Sequence, residues 1–218
     1  MTGVQTCALP ISSATQYDGS RKIFLVPNYV LPPGIPEEGV AHLERYWSEV
    51  RDAIANLERN LGKVSRIYHE MIYVKDDDAV AMLESLNPHG SVFIQAMRSG
   101  SATLEAAEDR EVVEEHIDWQ RILSIGLMSQ KISTMAIEGF NNTLQQRFDR
   151  IGERIGETLQ DGETAVLFIR EDHRVQFPSD IQVFYVAPPG LDALKRWVDA
   201  RIQAEQAAKQ SEPQTTES

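Results

Sequence analysis

The stretch KIFLVPNYVLPPGIPEEGVAHLERYWSEVRDAIANLERNL, from Lys22 to Leu61, contains the strand and the helix that decide the fold class. Four consecutive apolar residues, Ile23 to Val26, are typical of a short strand buried on both faces. After a segment rich in proline and glycine, apolar residues recur at alternating spacings of three and four, which predicts an amphipathic helix. They are Val40, Leu43, Trp47, Val50, Ile54, Leu57 and Leu61. A coiled coil shares this spacing, but the pattern stops at Gly62, so it favours packing against a sheet.

Strands and helices continue to alternate along the rest of the chain. Ser91 to Met97 fits a strand or a helix, and we expect a helix. The connection from Arg170 to Asp180 is too short for a helical crossover, so the strands on either side are expected to be antiparallel neighbours if they pair. The other predicted elements are strands at Val64–Val74, Thr103–Ala106, Thr164–Ile169 and Ile181–Val186, a helix at Asp76–Leu86, two helices within Asp109–Leu159 interrupted near Gly139–Asn142, and a helix from Leu191. The predicted fold is α/β: a single-domain sandwich with a mixed, mainly parallel sheet and flanking helices.

The two ends of the chain are expected to lie outside this domain. Met1 to Ile11 reads MTGVQTCALPI and resembles an in-frame translation of a sequencing-adapter oligonucleotide, so residues 1–12 are interpreted as a non-native segment. Residues 13–206 form the predicted single α/β domain. Residues 207–218 are polar and lack apolar content, which predicts a disordered tail.

Composition limits the classes of partner. The chain has 218 residues, 33 of them acidic and 21 basic, for a formal net charge of −12. This acidity argues against binding nucleic acid or an anionic membrane through bulk charge, and no apolar run approaches the roughly 18 residues of a membrane span. We expect a soluble cytoplasmic protein that binds a small molecule or forms a homo-oligomer. The single cysteine, Cys7, lies in the segment interpreted as non-native, which predicts a cysteine-free native chain without a disulfide or thiol catalysis.

Motifs of several enzyme classes are absent. The sequence has no HExxH or Glu-x-x-His metal motif, no P-loop, no GxGxxG and no GxSxG nucleophile elbow. It therefore identifies no cofactor and no metal. Arg147, Arg150 and Arg154 recur along one helix, but acidic residues are interleaved with them, which favours a salt-bridged surface over a nucleic-acid patch.

Candidate site residues follow the ends of the predicted strands, where open α/β sheets usually bind ligands. Histidine, carboxylate and arginine from separate segments could together supply a base, a metal ligand and an anion clamp. The catalytic candidates are His173, Glu70 and Arg110, and the binding candidates are Asn28, Tyr29, His69, Asp109, Arg170 and Glu171.

Each group also has a structural interpretation. His69 and Glu70 would point to opposite faces of a strand, so His69 could be a core histidine. The run from Arg170 to Arg174 could be a solvated loop with local ion pairs. Asp109 and Arg110 could simply begin a helix, with the carboxylate near its positive end.

The chain resembles known proteins in two ways. The stretches IFLVPNYVLPPG, LERYWSEV, LGKVSRIYHE and VQFPSDIQVFYVAPPGLDALKRW resemble a bacterial family of conserved proteins of unknown function, over nearly the whole chain from Lys22 to about Arg201. The second resemblance is remote, and it is to the TraB/ChaN/erythromycin-esterase-like superfamily. It rests on the order of the elements: a strand ending in Glu70, then the pair Asp109–Arg110, then a helix and a strand followed by His173. Members of that superfamily are implied hydrolases or haem-binding proteins with glutamate and histidine at strand ends. Their Gly-Glu…His signature is replaced here by Pro27, Asn28 and Tyr29.

Two functional hypotheses remain open. In the first, the protein is hydrolase-like or a degenerate hydrolase, with His173 as base or metal ligand, Glu70 as ligand or second base, and Arg110 or Arg170 as anion clamp. In the second, it is a non-catalytic binding or assembly module, in which the segment FPSDIQVFYVAPP supplies an edge or interface strand.

Overall fold

A computed structural model describes residues 5–6, 17 and 19–211 of the chain. Within these residues the strands are β1 (Gln5–Thr6), β2 (Arg21–Pro27), β3 (Val64–His69), β4 (Thr103–Leu104), β5 (Thr164–Ile169) and β6 (Ile181–Tyr185). The helices are α1 (Glu37–Leu61), α2 (Asp76–Leu86), α3 (Pro88–Ser99), α4 (Arg110–Ser124), α5 (Gln130–Thr158) and α6 (Pro189–Ser211). The predicted α/β fold with flanking helices is confirmed, as is the helix expected over Ser91 to Met97.

The strands form one sheet in the order β1-β6-β2-β5-β3-β4, and every pairing between them is parallel. The antiparallel pairing expected for β5 and β6 is therefore wrong. Strand β2 lies between them, with Phe24 opposite Val166 of β5 and Phe184 of β6. The connection after β5 crosses the sheet as an irregular loop, and it packs against the sheet through Val175, which is buried.

Helices cover both faces of the sheet, so the core has two parts. On one face, α1, α2, α3 and α6 pack against alternate residues of the central strands, such as Phe24, Val166 and Phe168. On the other face, the second half of α5 packs against Ala165 and Leu167 of the same strands. This alternation explains why β2 and β5 read as continuous apolar runs: each strand buries both of its faces.

The boundary between α4 and α5 differs from the prediction. The helices are separated at residues 125–129, where Gly126 adopts a positive φ of 72°, and not near Gly139 to Asn142. Gly139 is inside α5, and a Cβ atom there would lie 2.4 Å from the ring of Trp119 on α4. The glycine therefore allows two helices to approach closely and does not end a helix.

The structure describes only part of the two chain ends that were predicted to lie outside the domain. Helix α6 continues to Ser211, past residue 206, the predicted end of the domain, and residues 207–211 contain good helix formers. Residues 212–218 lie outside the described residues, as does the segment 1–12 apart from the two residues of β1. The described part of the chain contains no helix that is both long and apolar enough to cross a membrane.

Candidate functional site

The carboxyl ends of the parallel strands meet at one edge of the sheet, and a cleft of about 550 Å³ opens there. It lies beside the ends of the three central strands β2, β5 and β3, where loops rather than helices follow the strands. Its lining residues are Asn28, Tyr29, Val30, Glu70, Arg170, Glu171 and Asp172. The structure thus brings together five of the nine predicted site residues: Asn28, Tyr29, Glu70, Arg170 and Glu171.

Glu70 is oriented by two asparagine side chains. Its Oε1 accepts a hydrogen bond of 3.0 Å from Asn28 Nδ2, and Asn28 Oδ1 accepts one of 2.8 Å from Asn87 Nδ2. Asn87 is buried between α2 and α3, and its Oδ1 accepts from the backbone N–H of Gly90. Because each amide has its donor and acceptor sides assigned by this chain, Asn28 can present only a donor to Glu70.

The surroundings of Glu70 disfavour the ionised form of its carboxyl group. Burial raises its pKa above the ordinary value, because an ionised carboxylate is poorly solvated there, and the hydrogen bond from Asn28 opposes this shift only in part. Oε1 accepts from Asn28, and Oε2 has no hydrogen bond from the described residues, so Oε2 is the oxygen that would carry the proton of the acid form. In that form Glu70 would present an O–H donor to the cleft.

A buried ion pair holds the turn that carries Glu70. Glu108 accepts two hydrogen bonds from Arg147, of 2.6 and 2.9 Å, and its Oε1 also accepts one of 2.6 Å from the backbone N–H of Met71. Met71 has a positive φ of 70°, in the left-handed region that is unfavourable for a residue with a side chain. The ion pair thus stabilises a strained backbone position directly after Glu70.

The ionised groups of the cleft are already paired within the protein. Arg170 donates to both carboxylate oxygens of Asp172, and this bond holds the pKa of Asp172 below its ordinary value. Burial opposes ionisation of Glu171, but hydrogen bonds from Tyr29, Lys195 and Tyr185 outweigh it and lower its pKa. The ionised side chains of the lining therefore have partners within the protein.

The two histidines among the candidates do not line the cleft. His69 is 1% exposed, its Nδ1 donates to the backbone oxygen of Glu70, and its Nε2 is buried without a partner, so it is a core histidine. Burial lowers its pKa to about 4. The ring of His173 lies between Phe148 and Phe177, at centroid distances of 6.5 and 6.2 Å, and its Nδ1 accepts from the N–H of Val175.

Asp109 and Arg110 are also outside the cleft lining. Asp109 is the N-cap residue of α4 and forms an ion pair of 3.1 Å with Arg150. Arg110 is the first residue of that helix, is exposed, and donates to Glu114 at 2.7 Å. Both residues occupy the positions expected of a helix start, and neither supplies an anion clamp to the cleft.

The structure also assigns roles to residues outside the predicted set. Asn87 belongs to a turn signal in the sequence, but its side chain orients Asn28. Asp172 belongs to the charged run after β5, and it lines the cleft. Arg147, predicted to lie on a salt-bridged surface, is 3% exposed and paired with Glu108. No sequence spacing shows that Glu108 and Arg147, 39 residues apart, meet in the interior.

Metal-binding groups do not gather in the described part of the chain, where no three histidine, cysteine or acidic side chains are placed to hold one ion. Comparison of the chain with protein-family models, with curated proteins and with solved structures finds no match.

Proposed function

We propose that the strand-end cleft binds a small polar molecule and that Glu70 donates a proton to it in a hydrolase-like reaction. The observation that carries the proposal is the raised pKa of a carboxyl group that lines the cleft at the carboxyl edge of the sheet. Carboxylic acids kept protonated near neutral pH are typical of general acids, and strand ends are the usual ligand sites of open α/β sheets. The remote similarity to a superfamily of implied hydrolases with glutamate at strand ends points the same way.

Of the three carboxyl groups that line the cleft, Glu70 has a raised pKa, whereas Glu171 and Asp172 have lowered ones. Glu70 favours the acid form, and Asp172, held by Arg170, favours the carboxylate. In hydrolysis, Asp172 would accept a proton from the attacking water while Glu70 delivers its Oε2 proton to the leaving group. In each turnover Asp172 gains one proton and Glu70 loses one. A single proton transfer from Asp172 to Glu70 through solvent then restores both groups. Asp172 thus takes the role of base that the sequence assigns to His173.

With Glu70 protonated, as proposed, the lining is close to neutral, which favours a ligand that is itself neutral and carries oxygen acceptors. Ligand oxygen atoms could accept from the free O–H of Glu70. A strongly anionic ligand would meet Glu171 and Asp172, whose positive partners are already engaged. This argues for a carbonyl or hydroxyl compound over a phosphate.

We expect neutral carbonyl and hydroxyl fragments to perturb the backbone resonances of Asn28, Glu70 and Arg170 in two-dimensional NMR spectra. Glu70→Ala removes the donor and should weaken binding about tenfold, since a lost hydrogen bond to a desolvated partner is worth about 1 to 1.5 kcal/mol. Glu111→Ala, at an exposed position on α4, is the matched control and should bind as wild type does. Fragment contacts that cluster elsewhere, or equal binding by both variants, would refute the site.

A non-catalytic binding module is the second candidate, because every ionised group in the cleft already has an internal partner. Glu70→Gln separates the two, since the amide keeps a donor but transfers no proton. If the cleft is catalytic, chromogenic ester or glycoside substrates that the wild type hydrolyses should lose about 100-fold or more in turnover in this variant, with binding retained. If the wild type binds such compounds without turnover, the binding module is correct. The segment FPSDIQVFYVAPP contains β6, which pairs with β2 along its length. On its other side β6 pairs only at Phe184 and Tyr185, with Gln5 and Thr6 of the segment interpreted as non-native.

A further inference from the structure

The tip of the α4–α5 hairpin carries an unusual concentration of exposed apolar side chains. Among the described residues, eight large apolar side chains are exposed, and five of them lie in residues 125–137. They are Ile125, Met128, Ile132, Met135 and Ile137, with exposures of 74, 102, 45, 50 and 48%. No residue from 114 to 143 belongs to either part of the core, so the hairpin extends away from the sheet.

The same tip is nearly free of charge. From Ile122 to Ile137 the only charged residue is Lys131, in a chain with a formal net charge of −12. Acidic residues surround the tip on both helices, at Asp118 and Glu138. Two copies can therefore bring their tips together without opposing carboxylates across the contact, whereas most of the remaining surface carries the acidic excess.

Two unpaired charges border the apolar surface on α5. Lys131 and Glu138 are exposed and form no ion pair within the described residues. Seven residues correspond to two helical turns, so the two side chains lie on the same face of the helix, with Ile132 and Met135 beside them. Several exposed arginines of α1, α4 and α6 do have carboxylate partners on the same helix, such as Arg110 with Glu114.

We propose that a second copy of this chain covers the tip, with the two α5 helices antiparallel about a twofold axis between Thr134 and Met135. This arrangement places each Lys131 opposite the partner's Glu138, twice by symmetry, and places Met135 of both copies beside the axis. The two hairpins then form a four-helix contact, whose apolar centre excludes water from the two ion pairs at its border. The inference is independent of the cleft, which lies at the sheet.

The test is a charge exchange measured by sedimentation equilibrium on the full chain. Wild type should be dimeric at about 100 µM. Lys131→Glu and Glu138→Lys each place like charges across the axis twice, and each should weaken association at least about tenfold. The double variant restores both pairs in reverse and should return the dissociation constant to within about threefold of wild type. Arg196→Glu, exposed on α6, changes the net charge as much as Lys131→Glu and should leave association intact.

Each alternative result overturns the proposal. A monomeric wild type at that concentration refutes self-association, and if it also sediments with phosphatidylglycerol vesicles, the tip binds a lipid surface instead. A double variant as weak as the single variants refutes the antiparallel register. Equal weakening by Arg196→Glu shows a bulk charge effect. Because both exchanged residues are exposed, circular dichroism should show unchanged helix content in every variant.

Discussion

Replacing Arg147 with methionine is expected to destabilise the fold by about 3–5 kcal/mol, measured by urea unfolding at neutral pH. The side chains of Arg147 and Glu108 are 3 and 0% exposed, so the substitution leaves a buried carboxylate without its counterion. Among the described residues, the N–H of Met71 would be the one remaining donor to Glu108. Breaking one partner of a buried pair is costly for this reason, even where the intact pair contributes little net stability.

A matched exposed pair provides the control. Arg121→Met removes an ion pair with Asp118 on α4, where the two side chains are 75 and 68% exposed, and should cost less than about 1 kcal/mol. The double variant Glu108→Gln/Arg147→Met should lose much less than the sum of the single variants, because it leaves no unpaired charge. A loss below about 1 kcal/mol for Arg147→Met would contradict the interior pair.

Lowering the pH from 6.5 to 4 is expected to destabilise the protein steeply through two buried histidines. Burial lowers the pKa of His69 and of His116 to about 4, and nearby Arg147 adds to the shift of His116. His116 Nδ1 donates to Thr143 Oγ1 at 3.0 Å, because the Thr143 hydroxyl proton is given to a backbone carbonyl of α5. Because burial lowers both pKa values to about 4, we expect both rings to be neutral in the folded protein above that pH.

Stability falls with falling pH because the protein takes up protons when it unfolds. Unfolded histidines titrate near 6.5, so between that pH and 4 the unfolded chain binds about two more protons than the folded chain at these sites. The contribution of each ring is complete above 6.5 and is lost as pH falls through the folded pKa. Near pH 5 the slope should approach about 2.7 kcal/mol per pH unit, measured by urea unfolding across this range. Glu70 acts in the opposite sense: its contribution is complete below the ordinary glutamate pKa and is lost as pH rises through its raised value.

Single variants show how much of this pH dependence of stability comes from each histidine. His69→Phe, in a site beside Phe168, and His116→Gln should each reduce the slope by about half, to roughly 1.4 kcal/mol per pH unit. His89→Gln, at an exposed position in the first turn of α3, is the control and should leave the slope unchanged. A slope that neither variant changes would show that the two rings titrate as they do in the unfolded chain.

Local patterns predict the elements well, because they depend on spacing within one segment. The apolar stripe of α1 follows the predicted positions from Leu43 to Leu61, all of which are buried. The continuous apolar runs of β2 and β5 follow from helices on both faces. The order of the strands depends on contacts between distant segments. Nothing in the loop after β5 indicates that β2 lies between β5 and β6.

The candidate site was likewise predictable from the sequence only in part. The rule that ligands bind at strand ends brings Asn28, Tyr29 and Glu70 to one cleft, because it depends only on where each strand stops and on the strands being parallel. The same rule does not predict the position of His173, whose ring packs against Phe148 and does not line the cleft. The strand-end rule also cannot find Asn87, because the turn signal of its segment does not indicate that its side chain donates to Asn28.

The protonated state of Glu70 in the strand-end cleft can be measured directly by ¹³C NMR titration of its side-chain carboxyl carbon, assigned by the loss of that signal in Glu70→Gln. We expect a pKa clearly above the ordinary glutamate value of about 4.3, because the surrounding protein solvates the carboxylate poorly. We also expect Asn28→Ala to raise this pKa further, since the hydrogen bond from Asn28 favours the ionised form. A pKa at or below about 4.3 in the wild type would mean that Glu70 is ionised at neutral pH, and it would contradict the proposed role of Glu70 as the proton donor of the cleft.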